Sequence, residues 1–352
     1  MRPELHADDI IYPSATAFVL MHFACLTAIW TGVSWGAVAA AFALYVARMF
    51  AITGGFHRYF SHRTYRTSRV FHFLMGFLAE SSGQAGVLWW AAKHRHHHKF
   101  SDTEDDVHSP RQKGFWFAHF GWVFHKQTGP ADYSFVPDLE RYPELVWLDR
   151  NKFAPILLLG TASYLLGGWR GLVVGFCWST VATYHGTFAI NSLAHTAGRQ
   201  RYLTGDESRN NWWLAIVTLG EGWHNNHHWY QGSTRQGFRW WEYDFTYYLL
   251  KALSWVGVVW EMKEPPLEVV RGERPAPPSA IERAARLLAD TFHREWRRPH
   301  LPTLAELRAQ AERMFARTQA LDEVVRHALE ILRQKLPSLP TAPSLGPDPE
   351  PS

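Results

Sequence analysis

Cysteine is almost absent from this sequence. Only Cys25 and Cys177 occur in 352 residues, and both lie inside apolar runs. A disulfide framework, a zinc ribbon and a cysteine-held iron–sulfur cluster each require more cysteines than these two. If the chain catalyses a redox reaction, the electrons must therefore come from another protein.

Carboxylate-containing metal motifs and a strong charge bias are missing as well. The sequence has no pair of Glu-x-x-His segments, which argues against the carboxylate di-iron site of soluble four-helix bundles. It has no His-Glu-x-x-His segment, which argues against a zinc protease. The formal net charge is only +4. Because no basic stripe carries interleaved aromatic residues, the sequence predicts no nucleic-acid partner.

Apolar runs, in contrast, are long. Four of them are close to the roughly 20 residues that span a bilayer core, and the short connection inside each pair forces an antiparallel hairpin. The predicted fold is an all-α integral membrane protein with four transmembrane helices in two hairpins. The predicted spans are residues 14–30, 35–54, 153–168 and 171–190. Arg48 lies near the end of the second span, where its side chain is expected to reach the headgroups.

The distribution of positive charge predicts the orientation of these spans. Arginine and lysine are concentrated in the segment of about 55–150 and after His195, while the hairpin turns hold little besides Arg170. The positive-inside rule then places the middle segment and both termini in the cytoplasm. An acidic leader precedes the first span, so no cleavable signal is predicted. We expect a protein of the inner (cytoplasmic) membrane.

Three shorter apolar segments are expected to lie at the membrane interface: 69–83, 114–124 and 245–260. The last segment is apolar enough to form a fifth span. Lys251 lies in its middle, however, and a fifth span would place the tail outside the cell. An interfacial helix is therefore the prediction for this segment.

Composition divides the chain into three parts. We predict a membrane domain over 1–262, a helical cytosolic tail over 263–336 and a disordered, Pro-rich terminus over 337–352. The tail is expected to form two helices, the second of which runs as one apolar stripe from Leu304 to Leu332. Each begins with a capping box, in which a hydroxyl and a Glu satisfy free N–H groups. The boxes are Ser279-Ala280-Ile281-Glu282 and Thr303-Leu304-Ala305-Glu306.

Histidine is unusually frequent, with 20 residues. The motif His-x-x-His-His occurs twice, and positions i, i+3 and i+4 of a helix share one face, so each triplet can point at one spot. Two further elements hold a His-x4-His pair and an Asn-x3-His segment. The candidate ligands are His57, His62, His94, His97, His98, His195, His224, His227 and His228.

Nine imidazoles exceed what one ion can hold, so the sequence predicts a site for two metal ions. Neutral imidazole suits iron, copper, nickel and zinc. A hydrolytic zinc site needs only about three protein ligands. Nine imidazole ligands instead suit a pair of redox-active metal ions that binds and reduces oxygen. Because this site is predicted to lie next to a membrane, the expected substrate is apolar. A metal transporter or metal-storage protein is the alternative class. This class fits less well, because transporters keep polar ligands near the bilayer midplane, whereas these histidines are predicted to cluster at the cytoplasmic ends of the spans.

These motifs resemble the histidine boxes of the membrane fatty acyl-CoA desaturases, the stearoyl-CoA desaturase family, over about residues 15–262. The resemblance implies four transmembrane helices under a cytosolic cap, with two iron ions (Fe²⁺) held by the nine histidines. It also implies that Asn191 holds a metal-bound water, whereas His96 is extra to the pattern and is not expected to be a ligand. Beyond the histidines, the similarity includes Ile52-Thr53-Gly54-Gly55-Phe56-His57-Arg58, His98-Lys99-Phe100-Ser101-Asp102, Gly114-Phe115-Trp116 and Gly220-Glu221-Gly222-Trp223-His224-Asn225.

The reaction of that family is the oxygen-dependent removal of two hydrogens from adjacent methylenes, usually between carbons nine and ten. The resemblance therefore implies that O₂ and a long-chain saturated acyl thioester, acyl-CoA in that family, give a cis-monounsaturated product. Saturated methylenes are chemically alike, so the position must be selected by a bent apolar tunnel. By resemblance, Ala41 and Tyr45 lie near its closed end, and Tyr45 is expected to limit chain length.

One departure from the family concerns the acyl carrier. Several animal relatives have an Arg-Asp pair directly before the second histidine box, where this sequence has Ala92 and Lys93. Gln84, Lys93 and Lys126 are the candidates for contacts with phosphate or pantetheine. An acyl carrier protein or a phospholipid is therefore an alternative carrier to CoA. By resemblance to bacterial members, a ferredoxin or rubredoxin with its reductase is the expected electron donor.

A membrane hydroxylase of lipids or alkanes is the alternative activity. Related histidine sites insert oxygen, and the spacing of the boxes does not separate the two reactions. The length of the similarity favours desaturation.

Overall fold

A computed structural model gives the fold of the protein and describes residues 12–126, 129–295, 301–315 and 320–335. The described residues are mostly helical, as the sequence predicts, and their strands form one two-stranded sheet. The chain divides into two compact units, one of residues 1–201 with 207–273 and the other of residues 202–206 with 274–352.

The first unit begins with an apolar helical hairpin. α1 is Tyr12–Leu26, α2 is Ala28–Thr31 and α3 is Trp35–Phe50. In the turn before α3, Gly32 has a φ of 73°, a conformation that glycine adopts without strain. The side chain of Ser34 then accepts the N–H of Ala37 and caps α3. α3 continues directly into a π-helix, π1 (Ala51–Ser61), whose residues are all buried.

Short elements follow, and several of them share one core with π1. They are β1 (Arg66–Thr67), α4 (Arg69–Glu80), α5 (Val87–Phe100), α6 (Pro110–Lys113), α7 (Phe115–His119), α8 (Pro137–Glu140) and α9 (Pro143–Arg150), with 3₁₀ turns at Gly121–Phe124 and Tyr133–Phe135. Phe60 of π1, Met75 of α4 and Leu148 of α9 are buried in this core. The core thus fixes π1 beside α5, the two elements that carry much of the histidine-rich sequence.

A second apolar hairpin comes next. It comprises α10 (Ala154–Arg170), π2 (Gly171–Trp178) and α11 (Ser179–Leu193). At Gly168 the backbone leaves helical geometry, with φ 58° and ψ −151°. On either side of this bend, Gly160 lies against the ring of Phe176, and a Cβ at Gly171 would meet the carbonyl of Ser163 at 2.2 Å. The chain therefore folds back on itself at Gly168.

In the described part of the chain, two helical stretches are long and apolar enough to cross a membrane, Trp35–Ser61 and Ala154–Leu193. A shorter apolar helix covers Ala15–Thr31. Large apolar side chains remain exposed on these elements, for example Trp35 at 88% and Leu166 at 90%. These findings agree with membrane association. The four separate spans stay a prediction, because these are the two stretches of spanning length in the described residues.

The expectation that Arg48 reaches the headgroups is wrong, because this side chain is fully buried. Its Nη1 donates to Thr180 Oγ1 at 2.8 Å, and its Nη2 donates to Ser179 Oγ at 2.5 Å. Its Nε donates to the carbonyl of Leu44 at 3.2 Å. Two hydroxyls of α11 therefore provide inside the bundle the hydrogen bonds that the headgroups would have provided.

The first unit ends with α12 (Trp212–Val217), α13 (His224–Trp229), α14 (Phe245–Trp255), β2 (Val259–Trp260) and α15 (Leu267–Arg271). β2 pairs antiparallel with β1, with Arg66 opposite Trp260 and Thr67 opposite Val259. α14 has 11 residues, far fewer than the roughly 20 that a span requires. This length agrees with the predicted interfacial helix and not with a fifth span.

The second unit has a small helical core of its own. Its helices are α16 (Pro278–Glu295), α17 (Leu304–Met314) and α18 (Leu321–Lys335), and its buried residues include Leu288, Leu307 and Leu332. The capping box at Thr303 and Glu306 is confirmed.

Two expectations for this unit are wrong. Ser279 lies inside α16, which already begins at Pro278, because proline suits the first turn of a helix. The predicted second helix is two helices, since α17 ends at Met314 and Phe315 is extended. The predicted disordered terminus at 337–352 lies outside the described residues.

Candidate metal centre

All nine predicted histidines converge in the first unit, in two neighbouring groups. Within each group, one ligand atom from every ring lies within 4.8 Å of the others. The first group is His57, His62, His94, His98 and His227, and the second group is His97, His195, His224 and His228. The predicted pair of sites is thus present as geometry, and His96 belongs to neither group among the described residues.

The structure divides each triplet between the two groups. α5 supplies His94 and His98 to the first group but His97 to the second, and α13 supplies His227 to the first group but His224 and His228 to the second. The prediction that each triplet points at one metal position is therefore wrong. Positions i and i+4 diverge from i+3 around a helix of 3.6 residues per turn, so a helix that lies between the two groups can serve both.

The spacing of His57 and His62 is explained by the π-helix. The His62 N–H donates to the His57 carbonyl at 3.2 Å, which is the i→i+5 bond of a π-turn. The wider turn brings residues five apart closer to the same side than an α-helix does, and the two rings meet in the first group. An α-helix would have separated them by more than a quarter of a turn.

The contacts inside the first group fit a cation better than protons. The Nε2 atoms form a series, His62–His94–His98–His227–His57, with successive separations of 2.8, 2.9, 2.9 and 2.9 Å. A neutral imidazole Nε2 is either a donor or an acceptor. Any assignment of protons would make one N–H serve two of the four contacts, whereas one cation can accept a lone pair from every ring.

Burial keeps five of the nine imidazole rings neutral. Removal from water lowers the pKa well below the usual value, because it disfavours the charged imidazolium, and neighbouring histidines lower it further. This holds for His62, His94, His98, His224 and His227. A neutral ring has the free lone pair that metal binding requires.

Carboxylates orient three of the rings. His57 Nδ1–H donates to Glu221 Oε2 at 2.5 Å. His97 Nδ1–H donates to Asp106 Oδ1 at 3.1 Å, and His195 Nδ1–H donates to Asp102 Oδ2 at 2.9 Å. Such bonds fix the tautomer with Nε2 free and make it a better donor to a metal.

The sequence predicts that Asp102, Asp105 and Asp106 orient ligand imidazoles. Asp102 and Asp106 do so, Asp105 is exposed instead, and the role of Glu221 was not predicted. Arg58, which is fully buried, bonds both Glu221 and Asp244. Burial favours the protonated form of Glu221, but the neighbouring His57 and Arg58 lower its pKa, and Asp244 holds Arg58 in place. Two sequence signals were available for Glu221: its position three residues before His224 and its place in the segment shared with the family.

A cavity of about 270 Å³ opens onto the first group. Its wall is largely aromatic and apolar, and His94 and Asn191 lie on it. Among its lining residues are Phe18, Trp89, Trp90, Val107, Trp122, Val123, Phe153, Tyr184 and Phe188. An apolar molecule in this cavity would therefore lie next to ligand atoms of the metal centre.

The predicted substrate contacts are not all on this cavity. Gln84 and Lys93 line it, and burial lowers the pKa of Lys93 to about 8. Ala41 and Tyr45 are on α3 outside the lining, and the Tyr45 hydroxyl donates to the Val217 carbonyl at 2.7 Å. Lys126 is exposed and is also outside the lining.

Every candidate ligand atom in the two groups is an imidazole nitrogen, a donor set that suits a di-iron centre. Comparison with known proteins supplies the family. The family model described as "Fatty acid desaturase" matches residues 33–260. The chain therefore belongs to the fatty acid desaturase family, as the histidine boxes predict, and is an oxidoreductase.

Three relatives show the range of this family. The chain is 38% identical over 236 residues to a chloroplastic palmitoyl-monogalactosyldiacylglycerol delta-7 desaturase of Arabidopsis thaliana, covering 66% of this chain and 63% of the relative. It is 36% identical over 249 residues to an acyl-CoA 5-desaturase of Anemone leveillei, covering 70% and 77%. It is 39% identical over 235 residues to an sn-1 stearoyl-lipid 9-desaturase of Synechocystis sp., covering 66% and 74%.

Proposed function

We propose that the protein removes two hydrogens from adjacent methylenes of a long-chain saturated fatty acyl thioester, an acyl-CoA, to give a cis double bond at carbon nine. The observation that supports this most directly is the apolar cavity that reaches His94 of the first histidine group. In the balanced reaction, the acyl chain gives up two electrons and two protons. A donor supplies two further electrons, solvent supplies two further protons, and O₂ leaves as two waters.

The residues that would hold the two iron ions are the members of the two histidine groups, with Asn191 holding a water. When bound, the ions supply the oxygen-activating redox chemistry. The side chains of the protein orient the ligand rings and position the substrate. Glu221, Asp106 and Asp102 keep a proton on the Nδ1 of His57, His97 and His195, so that each ring presents its lone pair inward.

Positioning of the substrate is the second task of the protein. The aromatic wall excludes water and holds the acyl chain against the histidines, so that one pair of methylenes is selected by distance. Lys93 and Gln84 line the same cavity and are the proposed contacts for the polar end of the substrate. Ala41, Tyr45 and Lys126, which lie outside the lining, remain proposed substrate contacts on the strength of the family resemblance alone.

The acyl carrier is the least constrained part of the proposal. The relatives include proteins named for acyl-CoA and for lipid-bound acyl groups.

We place the protein in the cytoplasmic membrane with four spans and the histidines on the cytoplasmic side. Cys25 and Cys177 are too few for an iron–sulfur centre, which supports a separate ferredoxin or rubredoxin with its reductase as donor.

The test is expression in a desaturase-deficient host, followed by mass spectrometry of the fatty acids. We expect new monounsaturated chains that are absent with His97→Ala. Hydroxylated chains instead would identify a hydroxylase, and an unchanged lipid profile from a folded, iron-loaded protein would overturn the proposal. Assays of the purified enzyme on acyl-CoA, acyl carrier protein and phospholipid would then identify the carrier.

A further inference from the structure

Outside the two metal groups, three more histidines meet in the apolar part of the first unit. His22 is on α1, His119 is at the end of α7 and His185 is on α11. His22 Nε2 lies 3.0 Å from His185 Nε2, and His185 Nδ1 lies 3.0 Å from His119 Nε2. We call these three residues the imidazole triad.

Unlike the first metal group, the triad has a complete assignment of protons. The His22 Nδ1 lies 2.7 Å from the Phe18 carbonyl, so it must carry a proton. His22 Nε2 then accepts from His185 Nε2–H, and His185 Nδ1 accepts from His119 Nε2–H. His119 Nδ1 lies 2.9 Å from Ser192 Oγ. The single hydroxyl proton of Ser192 completes the assignment when it is directed to this nitrogen rather than to the Phe188 carbonyl, 3.1 Å away. Each contact uses one proton and each ring is neutral, so the triad needs no cation.

The triad lies directly behind the aromatic wall of the cavity. Each histidine lies three or four residues from one wall residue. Phe18 precedes His22 on α1, Trp122 follows His119 in the 3₁₀ turn after α7, and Phe188 follows His185 on α11. The ring of Phe18 lies 6.1 Å from that of Phe188, and the ring of Trp122 lies 5.4 Å from it. A shift of any histidine would therefore shift the wall residue beside it.

Loss of one ring would affect all three elements. A polar nitrogen that loses its partner in apolar surroundings is costly, and each inner contact of the triad satisfies a nitrogen on both sides. The series is thus a single unit rather than three independent bonds. The distance between α1, α7 and α11 at this level, and with it the width of the cavity, depends on the intact series.

We propose that the imidazole triad positions the aromatic wall and thereby determines which acyl chain lengths and which methylene pair the cavity accepts. The proposal rests on the proposed function, because it assumes that the cavity holds the acyl chain. Discrimination by an apolar pocket is sensitive to such changes, since one methylene alters kcat/KM by roughly 10–200-fold. His22, His119 and His185 are positioning residues in this scheme and touch neither metal nor reacting carbons.

The experiment compares His22→Phe, His119→Phe and His185→Phe, singly and in pairs, in the desaturase-deficient host. The matched control is His293→Phe, on the exposed surface of α16 in the other unit. The readouts are the distribution of product chain lengths and double-bond positions, and the iron content of the purified protein. We expect each triad variant to keep its iron and to change the product ratio by about fivefold or more, in the same direction.

Pairwise variants separate a unit from three independent packing effects. If the triad acts as one unit, a pair changes the ratio no further than a single variant does. His185→Gln tests the chemistry, because an amide both donates and accepts and so is expected to move the profile back toward the wild type. If His185→Phe does not accumulate, His22→Phe and His119→Phe provide the test, because each removes one contact of the same series.

The outcomes distinguish the two proposals. A wild-type protein that makes no unsaturated product would contradict the proposed function itself. An active wild type whose triad variants all give the wild-type profile would overturn the triad proposal alone. So would additive changes in the pairs, or a His185→Gln profile as altered as that of His185→Phe.

Discussion

The Nδ1 of His57 and the Oε2 of Glu221 lie 2.5 Å apart, and both side chains are buried. Arg58 bonds the other oxygen of the same carboxylate at 3.0 Å. One carboxylate therefore connects a predicted metal ligand to a buried ion pair. Glu221 is therefore a positioning residue of the site, in a role that sequence reasoning did not assign to it.

Replacement of Glu221 by glutamine should weaken metal binding. Removal of such an outer partner typically costs about 10–100-fold in metal affinity or activity, and the neutral amide also leaves Arg58 with one ion pair fewer. Iron per chain after dialysis against a weak chelator measures the effect. Asp105→Asn is the matched control, because Asp105 is exposed in the same acidic segment as Asp106. Equal iron retention in the two variants would contradict the role given to Glu221.

Adjacent histidines of α5 should differ sharply in their importance. We expect His97→Ala to lose product and iron, because His97 belongs to the second group and is held by Asp106. His96→Ala should keep both, since the His96 ring packs near Phe100 and Phe135 instead. Fatty-acid profiles and iron content of the two variants check this. Loss of iron from the His96 variant would show that the groups have been assigned wrongly.

Two substitutions of Arg48 should separate its packing from its charge. The hydroxyls that it contacts also bond back to their own helix, with Ser179 Oγ donating to the Gly175 carbonyl and Thr180 Oγ1 to the Phe176 carbonyl. Arg48→Met fills most of the same space, and an apolar replacement of a buried charge is often neutral. Arg48→Ala leaves a void and should lower stability by about 2–5 kcal/mol.

Thermal unfolding in detergent measures both Arg48 variants. We expect the melting temperature of Arg48→Met to stay close to that of the wild type and that of Arg48→Ala to fall clearly below it. Equal losses in the two variants would mean that the guanidinium itself holds α3 to α11.

Glu80 predicts a dependence of stability on pH. Burial raises the pKa of this carboxyl to about 8, and its Oε1 accepts the N–H of Val87 at 3.0 Å. Because the folded state keeps the proton to a higher pH than the unfolded state does, this group makes stability fall as pH rises from the ordinary carboxyl range to about 8. Glu80→Gln should remove that slope, since a glutamine does not titrate.

Melting temperatures measured across this pH range for the wild type, Glu80→Gln and Glu261→Gln test the prediction. Glu261 is an exposed carboxyl and serves as the control. A slope that persists unchanged in Glu80→Gln would assign the pH dependence to other groups.

The sequence predicted the membership of the metal centre but not its arrangement. The nine histidines could be found because the two triplets and the His57–His62 pair repeat at short, regular spacings. Their division between two groups depends on where α5 and α13 lie relative to each other, which no local pattern contains. Sequence patterning also placed Arg48 at a membrane surface, because the hydroxyls that bury it are more than 130 residues away in the chain.

Helix ends and cavity walls were the other limits of sequence reasoning. Ser279 carried a valid capping pattern, yet Pro278 begins the helix one residue earlier. The cavity draws on residues from Ala17 to Asn191, so its lining is a property of tertiary packing. Tyr45 was assigned to the substrate by family resemblance, and in the fold its hydroxyl bonds the backbone of Val217.

α5 and α13 each contribute ligands to both histidine groups. Because both helices serve both groups, a backbone shift that changes one group also disturbs the other. Neither histidine group can therefore change its geometry, or be lost, without an effect on the other group. Variation in substrate is left to the walls of the cavity, which can be altered residue by residue while the paired metal site stays as it is.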